Sequence, residues 1–418
     1  MGCREPAGEA GWESGLFDRG SWVEAQAGWA RSVVTGRARL DGVPVGVIAV
    51  ETQTQTRHVP ADPGDPASSE VDIPQAGQVW WPDSADKTAQ AMEEFDREGL
   101  PLFILANWRG FAGGQRDLFE GVLQAGSLIV EQLRVYRQPV FVYIPGGGEL
   151  RGGAWVVVDA QINPTHIEMY ADPNARGGVL EPEGLVEIKF RTPDLIKAMH
   201  RLLDPAIAKL KAEGGPLAEA AIKAREKALL PTYQQVARQF ADMHDTPARM
   251  HAKGTLKGVV AWRDARSFFA ARLQRRLAEE ALLRHVASTD TAISRHDAIA
   301  MVASWHAPDA PPANASVRAA AAAPAAVQGP AELAAAAAAQ AGADRAFLSW
   351  AESPAGRARV TAELRALRSQ AASRLVVDML GTAEGKEGLL RGLQAALGAD
   401  AGLAAQLRAL VPRASAGL

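Results

Sequence analysis

Two glycine-rich segments carry the residues best suited to chemistry: Asn107-Trp108-Arg109-Gly110-Phe111-Ala112-Gly113-Gly114 and Pro145-Gly146-Gly147-Gly148-Glu149-Leu150-Arg151-Gly152-Gly153. Each follows a hydrophobic stretch that reads as a strand, which places both loops at strand ends, where functional groups concentrate. Glycine lets successive backbone N–H groups converge on one point, and a helix that follows adds its positive end; together they suit a developing negative charge. Two tight turns would use the same glycines. Arg109 and Arg151 lie inside the loops. A guanidinium is a planar two-point partner for a carboxylate or carboxyl-like group, although its commoner fate is an ion pair at the surface.

Neither loop continues into Gly-Lys-Ser/Thr, and neither supplies Gly-x-Gly-x-x-Gly between a strand and a helix, so phosphate-transfer and hydride-transfer readings lose support. A Gly-x-Ser-x-Gly elbow is absent, and the single cysteine, Cys3, sits at the terminus, which leaves neither a nucleophilic cysteine nor a disulfide or zinc framework. The eight histidines make no zinc pattern; His244 and His251 lack the required spacing and intervening Glu, and no metal is expected. The Glu181-Pro182-Glu183-Gly184 cluster offers paired carboxylates, but it reads better as the acidic first turn of a helix over 183–190. Lys189 and Arg191 at its end could meet phosphates or complement the helix C-terminus.

The elements that must position these groups are legible in outline. Val33–Leu40 and residues 43–51 flank Asp41-Gly42, a hairpin signal. Residues 84–97 put Ala85, Ala89, Met92 and Phe95 on one helical face, with Asp83 or Ser84 as cap. A strand over 102–107, a helix over 115–136 carrying Leu118, Val122, Ile129 and Leu133, and a strand over 140–144 complete a layered α/β pattern. From about residue 192 strands disappear. Helices are expected over 194–213, 217–242 and 256–287, the last with Trp262, Phe268, Phe269, Leu273 and Leu277 as its core stripe. Residues 308–343 are nearly all Ala, Pro and Gly and read as a linker or weakly helical segment, followed by helices over 346–372 and 388–410.

At 418 residues the chain is long enough for two domains, and 47% hydrophobic residues support a packed core. A net charge of −3 lacks the basic excess that nucleic acid or an anionic membrane demands. The basic run Arg263, Arg266, Arg272, Arg275 and Arg276 is interleaved with Asp264, Glu279 and Glu280 and reads as a solvated helix face. No apolar run approaches the roughly 20 residues of a membrane span.

At these residues the sequence resembles the C-terminal half of the carboxyltransferase of eukaryotic-type, multidomain acetyl-CoA carboxylase. The matching stretches are Glu13-Ser14-Gly15-Leu16-Phe17-Asp18, Gly36-Arg37-Ala38-Arg39-Leu40, Gly46-Val47-Ile48-Ala49-Val50-Glu51-Thr52, and residues 106–117 with their Asn-Trp-Arg-Gly-Phe core from Asn107 to Phe111. They continue through Gly148-Glu149-Leu150-Arg151-Gly152-Gly153, Met169-Tyr170-Ala171-Asp172, Gly178-Val179-Leu180-Glu181-Pro182-Glu183-Gly184 and Glu187-Ile188-Lys189-Phe190-Arg191.

The resemblance implies a crotonase-like (ClpP/crotonase) α/β spiral of ββα units followed by a mainly helical C-terminal region. It divides the chain into a carboxyltransferase core at 11–215, a helical extension at 216–306, the Ala/Pro-rich linker at 307–345 and C-terminal helices at 346–412. The implied reaction moves a carboxyl group from carboxybiotin to acetyl-CoA, giving malonyl-CoA for fatty acid biosynthesis. Biotin is then the cofactor, carried on a domain outside this chain, and no side-chain base is required. Carried over by position, Arg109 recognises the carboxyl group, backbone amides near Gly113, Gly114 and Gly153 bind oxyanions, Phe111 and Gly152 border the biotin, and Lys189 and Arg191 contact coenzyme A. By propensity residues 155–158 read as a strand, whereas the resemblance implies a short helix there, and the helix is the reading adopted.

Further implications are an N-terminal carboxyltransferase half that completes the site, a biotin carboxyl carrier partner, a head-to-tail dimer and a cytoplasmic location, with a plastid left open. The alternative is a catalytically inactive regulatory subunit that dimerises with the full-length enzyme. A hydratase or isomerase of the same fold would need Glu149 as its acid–base group.

Overall fold

The computed structural model describes residues 15–201, 204–306 and 329–399, with 402 and 405. Cys3, the start of the first matching stretch and residues 307–328 of the expected linker lie outside the described residues. The chain divides into two compact units, 1–277 with 317–346, and 278–316 with 347–418.

In the first unit β1 (Val23–Ala25) and β2 (Val33–Leu40) pair antiparallel, and β2 returns as β3 (Val43–Val50). The turn places Asp41 at φ 53° and Gly42 at φ 79°. Two successive positive φ values give the tight turn whose twist matches the strands, so the hairpin forms where its dipeptide directs. The ribbon of β4 (Gln55–Val59) and β5 (Val71–Gln75) has no counterpart in the sequence reading.

After β6 (Val79–Trp80), helix α1 (Pro82–Arg97) buries Ala85, Ala89, Met92 and Phe95. Its N-cap is Trp81 rather than Asp83 or Ser84. Ser84 serves from inside the first turn, its Oγ accepting from the Trp81 N–H at 2.9 Å. Strands β7 (Leu102–Leu105) and β8 (Gly110–Phe111) follow. The single helix expected over 115–136 is two, α2 (Gln115–Phe119) and α3 (Val122–Val135), because Gly121 turns the chain at φ 86° between them. Leu118 is consequently exposed, while Val122, Ile129 and Leu133 are buried.

Next come β9 (Val140–Ile144), β10 (Glu149–Arg151), α4 (Gly152–Val158), β11 (Ile167–Ala171), β12 (Arg176–Gly178) and α5 (Pro182–Lys189). Residues 155–158 are helical despite their strand propensity, since Ala154 and Val158, one turn apart, are both buried and Trp155 Nε1 donates to Asp159 at 2.8 Å. The helical region runs through α6 (Thr192–Arg201), α7 (Pro205–Glu213), α8 (Pro216–Asp242) and α9 (Pro247–Ala252). Strands do not end at 192: β13 (Gly258–Val259) joins the sheet before α10 (Trp262–Thr289) begins. Two residues carry no readable periodicity, and their pairing depends on β11, whose Met169 carbonyl accepts from Lys257 N–H at 2.8 Å.

The main sheet has the order β1-β2-β3-β7-β9-β11-β13, parallel from β3 onward. Every residue of β7 and β9 is buried, as a sheet covered on both faces requires. One face packs Ile48, Ile104 and Val142 against Met92, Phe95 and Ile129 of α1 and α3. The other packs Val47, Phe103, Phe141 and Tyr170 against Phe268, Phe269 and Leu273 of α10. The α/β layers with a helical C-terminal region match the expected class.

The second unit takes its core from Leu283, Val286, Ala298, Val302, Trp305 and Leu367, contributed by α10, α11 (Arg295–His306) and α13 (Pro354–Leu380). The segment expected as linker to residue 345 is helical from Pro330 as α12 (Pro330–Glu352), and α14 (Ala383–Ala399) closes the described elements. Alanine is the best helix former, Pro330 suits the first turn, and the Gly329 N–H donates to Glu332 at 3.0 Å, so composition that resembled a linker nucleates a helix.

Candidate active site

β7 and β9 are parallel neighbours, with Leu105 opposite Tyr143, so the two glycine loops leave the same end of the sheet side by side. Specific bonds join them. Asn107 Oδ1 accepts from Gln78 Nε2 at 2.6 Å and from the Glu149 N–H at 3.0 Å, and the Arg151 N–H donates to the Trp108 carbonyl at 2.9 Å. The first loop is held from the opposite side by β6, which pairs with β8 in the register Trp80 to Phe111.

Phe111 is the hinge of this arrangement. Its ring stacks on Trp80 at 5.0 Å, and Trp80 in turn stacks on Trp108 at 4.0 Å. A side chain at Gly126 of α3 would meet the Phe111 ring at 2.9 Å, and one at Gly153 of α4 would meet it at 3.5 Å. Glycine at Gly126 is therefore what admits the ring, and through Phe111 the first loop touches the first turn of α4.

The first turn of a helix leaves its N–H groups without intrahelical partners. In α4 these are the amides of Gly152, Gly153 and Ala154, and the N-cap residue Arg151 offers them no side-chain bond. Gly152 takes φ 50°, where a side chain would be strained. The Gly113 N–H has no acceptor among the described residues. Gly114 differs: its N–H donates to Asp117 at 3.1 Å and caps α2, so of the two glycines only Gly113 has an amide to offer.

The arginines divide their work. Arg109 is half exposed and donates through Nε to Glu149 Oε1 at 2.6 Å, with no partner on its terminal nitrogens among the described residues. Arg151 is buried; its Nε donates to Glu149 Oε2 at 3.0 Å, and its Nη1 donates to the Leu180 carbonyl at 3.1 Å and ion-pairs with Asp245. Burial acts to lower the Arg151 pKa, but the bonds to Asp245 and Glu149 outweigh it and hold the group above the usual arginine value. Arg151 is thus an internal anchor, and Glu149, committed to two guanidinium groups, is not placed as the proton carrier a hydratase would need.

Lys189 and Arg191 are exposed at and just beyond the end of α5, and no bond joins either to the two loops among the described residues. Nothing in the spacing marks Asp245, which lies 94 residues from Arg151 in sequence. No group of three His, Cys, Asp or Glu among the described residues is arranged to hold a metal. No helix among them is long and apolar enough to cross a membrane.

A parallel sheet with two apposed amide-bearing loops and an Arg between them defines a class that the family comparison makes explicit. The chain belongs to the carboxyl transferase domain family, whose model matches residues 13–277. Among curated relatives, acetyl-CoA carboxylase 1 of Arabidopsis thaliana is 62% identical over 286 residues, which is 66% of this chain and 13% of the relative. The acetyl-CoA carboxylase of Dictyostelium discoideum is 52% identical over 307 residues, 70% of this chain and again 13% of the relative. The chain thus spans only a small fraction of the length of these relatives. Among solved structures, transcarboxylase 12S overlaps 62% of this chain and 40% of its own at 20% identity and TM-score 0.43. The beta subunit of P. aeruginosa geranyl-CoA carboxylase overlaps 62% and 39% at 18% identity and TM-score 0.42.

Proposed function

We propose that this chain supplies the C-terminal half of a biotin-dependent acetyl-CoA carboxylase carboxyltransferase, the half that holds the carboxyl donor while acetyl-CoA becomes malonyl-CoA. The observation that supports this reading most is the terminal nitrogen pair of Arg109, without a partner among the described residues, in the same loop as the Gly113 N–H, which likewise has no acceptor among them. These donors suit a planar ureido group bearing a carboxylate. Bound biotin would supply a carboxyl group at a nitrogen from which it can leave. Arg109 would engage the carboxylate through both terminal nitrogens, fixing its plane. The amides of Gly113 and Gly153 would donate to carbonyl oxygens that gain negative charge, and Phe111 with Gly152 would border the biotin and restrict water. Lys189 and Arg191, exposed and cationic, would meet the phosphates of coenzyme A.

The reading carries partners with it. An N-terminal carboxyltransferase half would complete the site in a head-to-tail dimer, a biotin carboxyl carrier domain would deliver the cofactor, and the assembly would work in the cytoplasm or a plastid. The division into a core at 11–215, an extension at 216–306 and terminal helices to 412 belongs to the same proposal. The experiment is the reverse reaction, malonyl-CoA decarboxylation coupled to carboxylation of free biotin, run with the purified chain alone and with a separately expressed N-terminal half. Activity on mixing only is the expected result. A folded chain inactive in both settings would overturn the reading in favour of a non-catalytic subunit that pairs with a full-length enzyme.

A further inference from the structure

We infer that Glu149 is the positioning residue for Arg109, acting as a carboxylate clamp between one fixed and one movable guanidinium. The inference rests on the proposed role of Arg109 and goes beyond it in naming what aims that side chain. The clamp is built from the inside outward. Arg151 is 3% exposed in its side chain and is fixed by Asp245 and by the Leu180 carbonyl at 3.1 Å. It fixes Glu149 by donating to Oε2 at 3.0 Å, and the backbone of Glu149 is pinned by the Asn107 side chain at 3.0 Å. Glu149 then accepts from Arg109 Nε at 2.6 Å through its other oxygen.

The contact through Nε is the informative detail. A structural ion pair between Arg and a carboxylate commonly uses two parallel N–H donors. Here Glu149 spends one oxygen on each arginine, and Arg109 gives up the one nitrogen that leaves its terminal pair available. A long side chain that is 55% exposed would otherwise spread over many rotamers, and ordering it beforehand removes that entropy cost from the moment of substrate capture. Glu149 touches no substrate in this account; it acts only through Arg109.

The test is a double-mutant cycle on the 418-residue chain, assayed by the reverse reaction with the N-terminal half. Glu149→Ala is expected to lower kcat by roughly tenfold or more with little change in the KM for malonyl-CoA, and to have no further effect in an Arg109→Ala background. Equal losses in both backgrounds would show that Glu149 merely supports the fold and would overturn the inference while leaving the role of Arg109 intact. If Arg109→Ala itself changes nothing, the functional reading fails first. A second readout needs no activity: in the chain alone, the Arg109 Nε–H resonance, identified as the one lost in Arg109→Lys, should exchange with water at least tenfold faster after Glu149→Ala. An unchanged exchange rate overturns the clamp whatever the assay gives.

Discussion

Glu168 on β11 and Arg272 on α10 form a two-point ion pair inside the core, with Arg272 Nε donating at 2.8 Å and Nη2 at 2.6 Å. Lys257, Arg276 and the Tyr170 hydroxyl donate to the same carboxylate, at 2.6, 3.1 and 2.8 Å. The cluster ties α10 to the sheet on the face opposite α1 and α3. Glu168→Ala would leave several cations facing a buried site, and the expected loss is about 3–5 kcal/mol in denaturant unfolding.

The same carboxylate sets an acid limit on the fold. Burial alone would raise its pKa, but Lys257 and Arg272 outweigh that and hold it well below the ordinary 4.5. A carboxylate with a depressed folded pKa binds fewer protons than its unfolded counterpart, so its contribution is complete above about 4.5 and is lost as pH falls toward the folded value. Thermal unfolding midpoints should therefore drop steeply below pH 4.5. Glu168→Gln should be less stable at neutral pH and should show a shallower acid slope; an identical slope would assign acid sensitivity to other groups.

Gly46 records how closely β3 and α1 approach. A Cβ there would fall 2.5 Å from the ring of Phe95, which is fully buried. Gly46→Ala should cost about 1–3 kcal/mol by overpacking. The cost should shrink when Phe95→Leu opens the contact, and equal costs in both backgrounds would place the strain elsewhere.

Stability and activity should separate at Gly126. Alanine there favours helix α3 by up to about 1 kcal/mol relative to glycine. Its Cβ would nevertheless meet Phe111 at 2.9 Å, and the ring, already stacked on Trp80, would have to shift from its place beside the loops. Gly126→Ala is expected to keep or raise the unfolding midpoint while lowering the reverse reaction. A variant with full activity would show that the Phe111 ring is free to move without consequence.

How much of this was legible beforehand depended on whether the deciding contact was local. The Asp41-Gly42 turn is specified by two adjacent residues and read directly, and the bulky Phe268, Phe269 and Leu273 marked the buried part of α10, although the helix begins at Trp262 and not at 256. The break at Gly121 was hidden because Leu118 and Val122, four residues apart, keep helical spacing across it. Residues 155–158 favour a strand by themselves, and only burial of Ala154 and Val158 explains their helix. At the site, the loops and Arg109 were marked by residue type. What was not marked is the difference between Arg109 and Arg151, because it is made by Asp245 and the Leu180 carbonyl, far away in sequence.

That difference gives the last prediction. If Arg109 meets a carboxylate through two parallel N–H bonds, lysine cannot replace it, since an ammonium is a point charge without the planar fork. Arg109→Lys should then lose roughly as much reverse activity as Arg109→Ala, about 100-fold or more if the group faces charge that develops in the transition state. Unfolding midpoints should barely move in either variant, because the side chain is half exposed and its pairing with Glu149 is a surface contact. Arg151→Lys should behave in the opposite way: it strips bonds from a buried network with Glu149, Asp245 and Leu180, so stability and activity should fall together. Activity restored by lysine at Arg109 would reduce that residue to a source of positive charge and remove the geometric argument for its fork.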